Sequence, residues 1–117
     1  MMQDTHEDRI RSLYVAFNAR DIETVLAAMK PDVDWENGWK GGRLIGRASV
    51  RDYWERQWAA IDPHVEPTGM TVRPSGEIVV DVHQVVRDER GDVVAEDDVR
   101  HVFVFDTTLV QRMDIEG

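Results

Sequence analysis

The chain has 117 residues, no cysteine, and a formal net charge of −9 from 14 basic and 23 acidic residues. The lack of cysteine excludes disulfides, thiolate chemistry and Cys-based zinc sites. The acidic balance argues against nucleic acid or an anionic membrane as partner, because both require clustered Lys and Arg.

The length suits one domain, residues 1–117, burying roughly 65% of its unfolded surface. The N-terminal residues lack a signal pattern, and no apolar run approaches the ~20 residues of a membrane span. A cytoplasmic protein is therefore expected.

Residues 7–19 carry Ile10, Leu13, Tyr14 and Phe17 at helical spacing and predict an amphipathic helix. Asp21 is placed to cap a second helix, with Ile22, Val25, Leu26 and Met29 as its buried stripe and Pro31 as its stop. A short break at Ala19 and Arg20 makes the two a bent pair. Residues 32–36 alternate and predict a short strand. Val33 and Trp35 face inward there, which carries Asn37 inward and turns Asp34 and Glu36 outward. Asn37-Gly38 and Gly41-Gly42 mark turns. The segment from Gly38 to Gly46, with Arg43 and Leu44, is expected to be mobile. Trp39 within it is expected to cover the pocket mouth or make a dimer contact.

A third helix is predicted from Arg47 to Ala60, with Val50, Trp54 and Trp58 on one face and Asp62-Pro63 as its end. Four extended segments follow. Val65 to Pro74 is interrupted by Pro67, which suits an edge strand. Glu77 to Arg87 is strongly β-branched, and residues 88–92 form a hairpin turn. Val93 to Phe105 is a long strand, residues 106–108 are a tight turn, and Leu109 to Ile115 is the last strand. Helices grouped before a run of antiparallel strands indicate an α+β domain. The expected architecture is a cone: a curved antiparallel sheet with three N-terminal helices packed on its concave face. Such a cone leaves a cavity that suits a ligand.

The long strand places His101 in the same row as Phe103 and Phe105, so His101 is either a hydrogen-bonded core residue or part of a pocket wall. An unperturbed histidine titrates near ~6.5, which suits proton transfer at neutral pH. His83 is expected beside Asp97 or Asp98, not beside His101. The acidic runs 88–92 and 96–98 are expected to be solvated surface. Arg100, Val102 and Val104 form a partly apolar outer row that needs a cover. No spacing among the histidines and acids is diagnostic of a metal, and the glycines form no phosphate loop, so neither metal nor cofactor is expected.

The element order, with the stretches 13–23, 31–37, 46–54, 101–105 and 112–115, resembles the SnoaL-like superfamily, the cone-shaped fold of nuclear transport factor two and ketosteroid isomerase. The resemblance covers nearly the whole chain and, with the outer row of Arg100, Val102 and Val104, implies a homodimer through the convex sheet face. It implies fold more than chemistry, because this fold hosts isomerases, dehydratases, cyclases and non-catalytic binding modules. Counted residue by residue, the position that resembles the isomerase oxyanion aspartate is His101. The position resembling the base is Asn37, or Glu36 after one deletion. The position resembling the catalytic tyrosine is Leu13, with Tyr14 one residue off and about 100° around the helix. A supporting tyrosine position is Trp54. The isomerase constellation is not reproduced by this count, and steroid isomerase activity is not supported.

The expectation is a pocket for a small hydrophobic or aromatic molecule, walled by Tyr14, Phe17, Trp35, Asn37, Trp39, Trp54, Phe103 and Met113. Either it serves cofactor-free isomerisation, dehydration or cyclisation, or it binds without chemistry. In the first case His101 is the acid/base or oxyanion donor, Glu36 the fallback base, and Asn37 orients the ligand. That case requires His101 to border an open cavity with a second titratable group in reach. A cone filled by Trp35, Trp54 and Phe103 would end it.

Overall fold

A computed structural model of the chain describes residues 5–37 and 41–116. Helix α1 spans His6–Asn18 and starts in a capping box, in which the Thr5 hydroxyl accepts from Asp8 N–H at 3.0 Å and the Asp8 carboxylate accepts from Thr5 N–H at 3.4 Å. Ile10, Leu13, Tyr14 and Ala16 are its buried residues. The helix ends on Arg20 in the left-handed region, φ 62°. Arg20 N–H donates to Phe17 C=O and Asp21 N–H to Ala16 C=O, the paired bonds of a Schellman cap. A non-glycine residue there is uncommon. Its side chain offsets the strain by donating to Phe17 C=O, Pro63 C=O and Asp62.

Helix α2, Ile22–Ala27, is a short turn capped by Asp21. Strand β1, Met29–Glu36, follows directly. The expected stop at Pro31 is therefore corrected: the helix ends at Ala27, and Met29 and Pro31 belong to β1. Pro31 sits where the β1 register shifts, between Met29 and Asp34. At such an irregularity a missing N–H breaks no ladder bond. Strand β2, Arg43–Ile45, pairs antiparallel with β1. This corrects the expectation that Arg43 and Leu44 belong to a mobile segment. Trp39 lies outside the described residues.

Helix α3 spans Arg47–Ala60 and buries Val50 and Trp54. Strands β3 (Asp62–Val72), β4 (Ile78–Arg87), β5 (Val93–Asp106) and β6 (Leu109–Glu116) complete one six-stranded sheet of order β2-β1-β6-β5-β4-β3. All pairings are antiparallel except β1 with β6, and the sheet is open. Strand β3 is an edge, as its prolines require, and it begins at Asp62, so Pro63 opens a strand rather than closing a loop. The three helices cover one face, where Val33, Val80, Val82, Phe103, Val110 and Met113 are essentially inaccessible. No helix among the described residues is long and apolar enough to cross a membrane.

The other sheet face is laced with ion pairs: Arg112 with Asp114 at 3.0 Å, Arg73 with Glu116 at 2.9 Å, and His83 with Asp98 at 2.8 Å and Glu96 at 2.9 Å. His83 thus pairs with Asp98, one of the two positions the hairpin count allows. Val102 on this face is 2% exposed in the single chain. The expected outer row of Arg100, Val102 and Val104 lies on this face, with its central residue already covered.

Asn18 binds both backbone groups of Val65, donating to its C=O at 2.7 Å and accepting from its N–H at 2.9 Å. These bonds tie α1 to the free side of edge strand β3. Asn18→Ala is expected to cost about 2 kcal/mol, because it removes two bonds and strands two half-buried backbone groups. Urea denaturation checks this; a loss below about 0.5 kcal/mol would mean that water replaces the amide.

Candidate functional site

Between the helices and the sheet lies a cavity of about 90 Å3. Its wall draws on α1 (Leu13, Tyr14, Phe17), α3 (Tyr53, Trp54, Gln57), and the inner rows of β1, β3, β4, β5 and β6. Of the residues expected from sequence, Tyr14, Phe17, Trp35, Glu36, Asn37, Trp54, His101 and Met113 all line it. Phe103 does not. It is fully buried behind the lining, edge-on to Trp35, Tyr14 and His101.

His101 sits in β5 between Val80 of β4 and Ile115 of β6. Its Nδ1 lies 2.7 Å from the Tyr14 hydroxyl, and the two rings are nearly parallel, 5.9 Å apart. Among the described residues Tyr14 is the hydrogen-bond partner of this imidazole. Burial pushes the His101 pKa down to about 4 and pushes the Tyr14 phenol well above its ordinary value. Both groups are therefore neutral at pH 7. The pair is a hydrogen-bonding couple, not an imidazolium–phenolate couple. With Tyr14 donating to Nδ1, the imidazole proton sits on Nε2. With Nδ1–H donating to Tyr14, the phenol O–H is left to donate elsewhere. In either tautomer the couple keeps one donor for a ligand.

The count along the chain placed Leu13, not Tyr14, at the tyrosine position, yet both line the cavity. The inward stripe of a packed helix is 100° wide or more, so residues on either side of its centre face the sheet. A tyrosine beside position 101 is thus present, supplied from one residue further on.

Alternation turns Glu36 outward, but the structure corrects this: at the end of β1 it borders the cavity, with its carboxylate already engaged. Oε1 accepts from Ile115 N–H at 3.0 Å, and Arg43 Nη1 lies 3.6 Å away. Arg43 is itself held by Asp34, by Asp114 at 2.9 Å and by Met113 C=O at 3.0 Å. Asn37 is 8% exposed, and its backbone bonds Gly41 and Gly42 across the turn. The rings form an edge-to-face chain: Phe17 to Trp54 at 5.1 Å, Trp54 to Trp35 at 5.4 Å, and Trp35 to Phe103 at 5.9 Å. They occupy much of the cone without filling it. Gln57 and Gln84 also line the cavity and were not expected from sequence. Each carried a signal: Gln57 lies three residues after Trp54 on the same helical face, and Gln84 interrupts the apolar row of Val80, Val82 and Val86. Among the described residues no group of three or more His, Asp or Glu side chains is placed to hold a metal ion.

The model of the SnoaL-like domain matches residues 10–113. An NTF2-like protein of unknown function from Burkholderia pseudomallei superposes with a TM-score of 0.84 at 24% identity, over 97% of this chain and 91% of that one. TerC, co-crystallised with polyporic acid, gives 0.82 at 24% identity, over 95% and 89%. RV0760c from Mycobacterium tuberculosis, in complex with estradiol-17beta-hemisuccinate, gives 0.82 at 19% identity, over 98% and 95%. No curated protein matches the sequence.

Proposed function

The chain belongs to the SnoaL-like domain family, and we propose that its cavity takes a small organic molecule by an oxygen atom held at Tyr14 and His101. The observation that carries this is the buried 2.7 Å contact between those two side chains in the cavity wall. Preorganised neutral donors in a water-poor site bind a carbonyl or hydroxyl oxygen strongly. Two structural neighbours hold organic molecules, polyporic acid and a steroid ester.

Where the ligand carries an acidic C–H beside its carbonyl, the same arrangement supports proton transfer. Glu36 takes the proton from carbon, the Tyr14–His101 couple stabilises the enolate oxygen, and Asn37 orients the ligand. Glu36 then returns the proton to another carbon, which is isomerisation, or to a β-hydroxyl whose C–O bond breaks as water leaves, which is dehydration. His101 acts as a neutral donor here, since an imidazole with a pKa of about 4 carries no proton to give as a cation at pH 7. One observation favours binding without chemistry: the Glu36 carboxylate already accepts from Ile115 N–H beside Arg43. The reading also includes a homodimer through the outer sheet face, tested by sedimentation equilibrium.

Calorimetric titration with phenols and cyclic enones is the test. Tyr14→Phe and His101→Gln are each expected to weaken binding roughly ten- to hundredfold, the worth of a buried hydrogen bond. Unchanged affinity in both folded variants would remove the couple from the site. Deuterium exchange beside the enone carbonyl, abolished in Glu36→Gln, would separate catalysis from binding.

A further inference from the structure

We propose that the ring chain along the cavity wall is a size filter, confining the site to uncharged molecules of a single ring that carry one hydroxyl or carbonyl oxygen. This rests on the function proposed above, because it assigns the ligand class of that same cavity.

Size comes first. The free space of about 90 Å3 is smaller than the roughly 150 Å3 cavity that holds one benzene in an engineered core. One ring enters with modest widening, its far edge toward the open side. A fused second ring would have to displace Trp54 or Trp35. Neither moves freely. Trp54 on α3 is 6% exposed and is met edge-on by Phe17 of α1 at 82° and by Trp35 of β1 at 85°. Trp35, also 6% exposed, is braced from behind by Phe103 of β5. Each ring belongs to a different element, so moving one means repacking the helix–sheet interface.

Charge comes second. Among the described lining residues no Lys or Arg is present, and Glu36 is the one carboxyl group. An entering carboxylate or phosphate would lose its water without gaining a cation. A neutral hydroxyl or carbonyl loses less and finds the Tyr14–His101 couple.

The test is calorimetric titration of wild type, His101→Gln, Trp54→Leu and Phe17→Leu with p-cresol, benzoate, 2-naphthol and estradiol. Wild type is expected to bind p-cresol at least tenfold tighter than any of the other three. Trp54→Leu should gain at least tenfold for 2-naphthol. Phe17→Leu, a milder change at a half-buried ring, should move in the same direction and serves if Trp54→Leu does not fold. Estradiol bound as tightly as p-cresol, in a manner lost in His101→Gln, would overturn the size filter and leave the functional reading standing. Benzoate bound as tightly as p-cresol would overturn the restriction to uncharged ligands. Folded ring variants with the wild-type order would overturn the assignment to these rings. No binding by any probe, or binding unaffected by His101→Gln, would overturn the functional reading and this inference with it.

Discussion

Phe103→Ala is expected to destabilise the protein by about 3–5 kcal/mol, the usual range for emptying a fully buried aromatic site. Phe103 is 0% exposed and stands where three parts of the molecule meet. It pairs with Ile78 of β4 and Met113 of β6 in the sheet. Its ring is edge-on to Trp35, Tyr14 and His101. No neighbour can collapse into the space without leaving one of those contacts, so the cavity term adds to the lost transfer energy. For a domain of this size the melting temperature should fall by roughly 15 °C or more. Chemical denaturation gives the free energy directly. A loss below about 1 kcal/mol would show that the interface relaxes around the gap. Because the ring lies behind the lining, Phe103→Leu, if folded, should weaken ligand binding far less than Tyr14→Phe.

Acidification from pH 7 to pH 4 is expected to remove about 3 kcal/mol through His101 alone. The sign follows from proton uptake. Burial holds the folded-state pKa at about 4, below the unfolded value of 6.5. Between those values the unfolded chain binds the proton and the folded chain does not. Stability is therefore complete above 6.5, declines as pH falls, and levels off below about 4. His83 works the other way. Its hydrogen bonds to Asp98 and Glu96 raise its pKa, so its contribution is present at low pH and is lost as pH rises through the raised value. That pair is solvent-exposed and its effect is small. Urea midpoints at pH 7, 6 and 5 should show a slope in wild type that flattens in His101→Gln. An equal slope in both would place the titration elsewhere.

The long local patterns were legible. Ile10, Leu13, Tyr14 and Phe17 read as a helical face, and the β4–β5 hairpin register could be counted from its turn well enough to set His83 against Asp97 or Asp98. The misreadings share a cause. Pro31 looked like a helix stop, yet it sits in a strand where no partner needs its N–H; α3 does end before Asp62-Pro63, but β3 starts there and not at Val65. The three residues of β2 are too short to show alternation; pairing with β1 and the carboxylates around Arg43 define them.

Periodicity is written in adjacent residues, so element type, the inward row of the long strand and the α+β class follow from the chain read in order. The parallel pairing of β1 with β6 and the meeting of Tyr14 with His101, 87 residues apart, are not local properties. They depend on how α1 is rotated against the sheet and on the register of β5 between its neighbours. Side chains from every element set that rotation together. The helical face already put Tyr14 in the pocket wall, but only packing brought it onto His101.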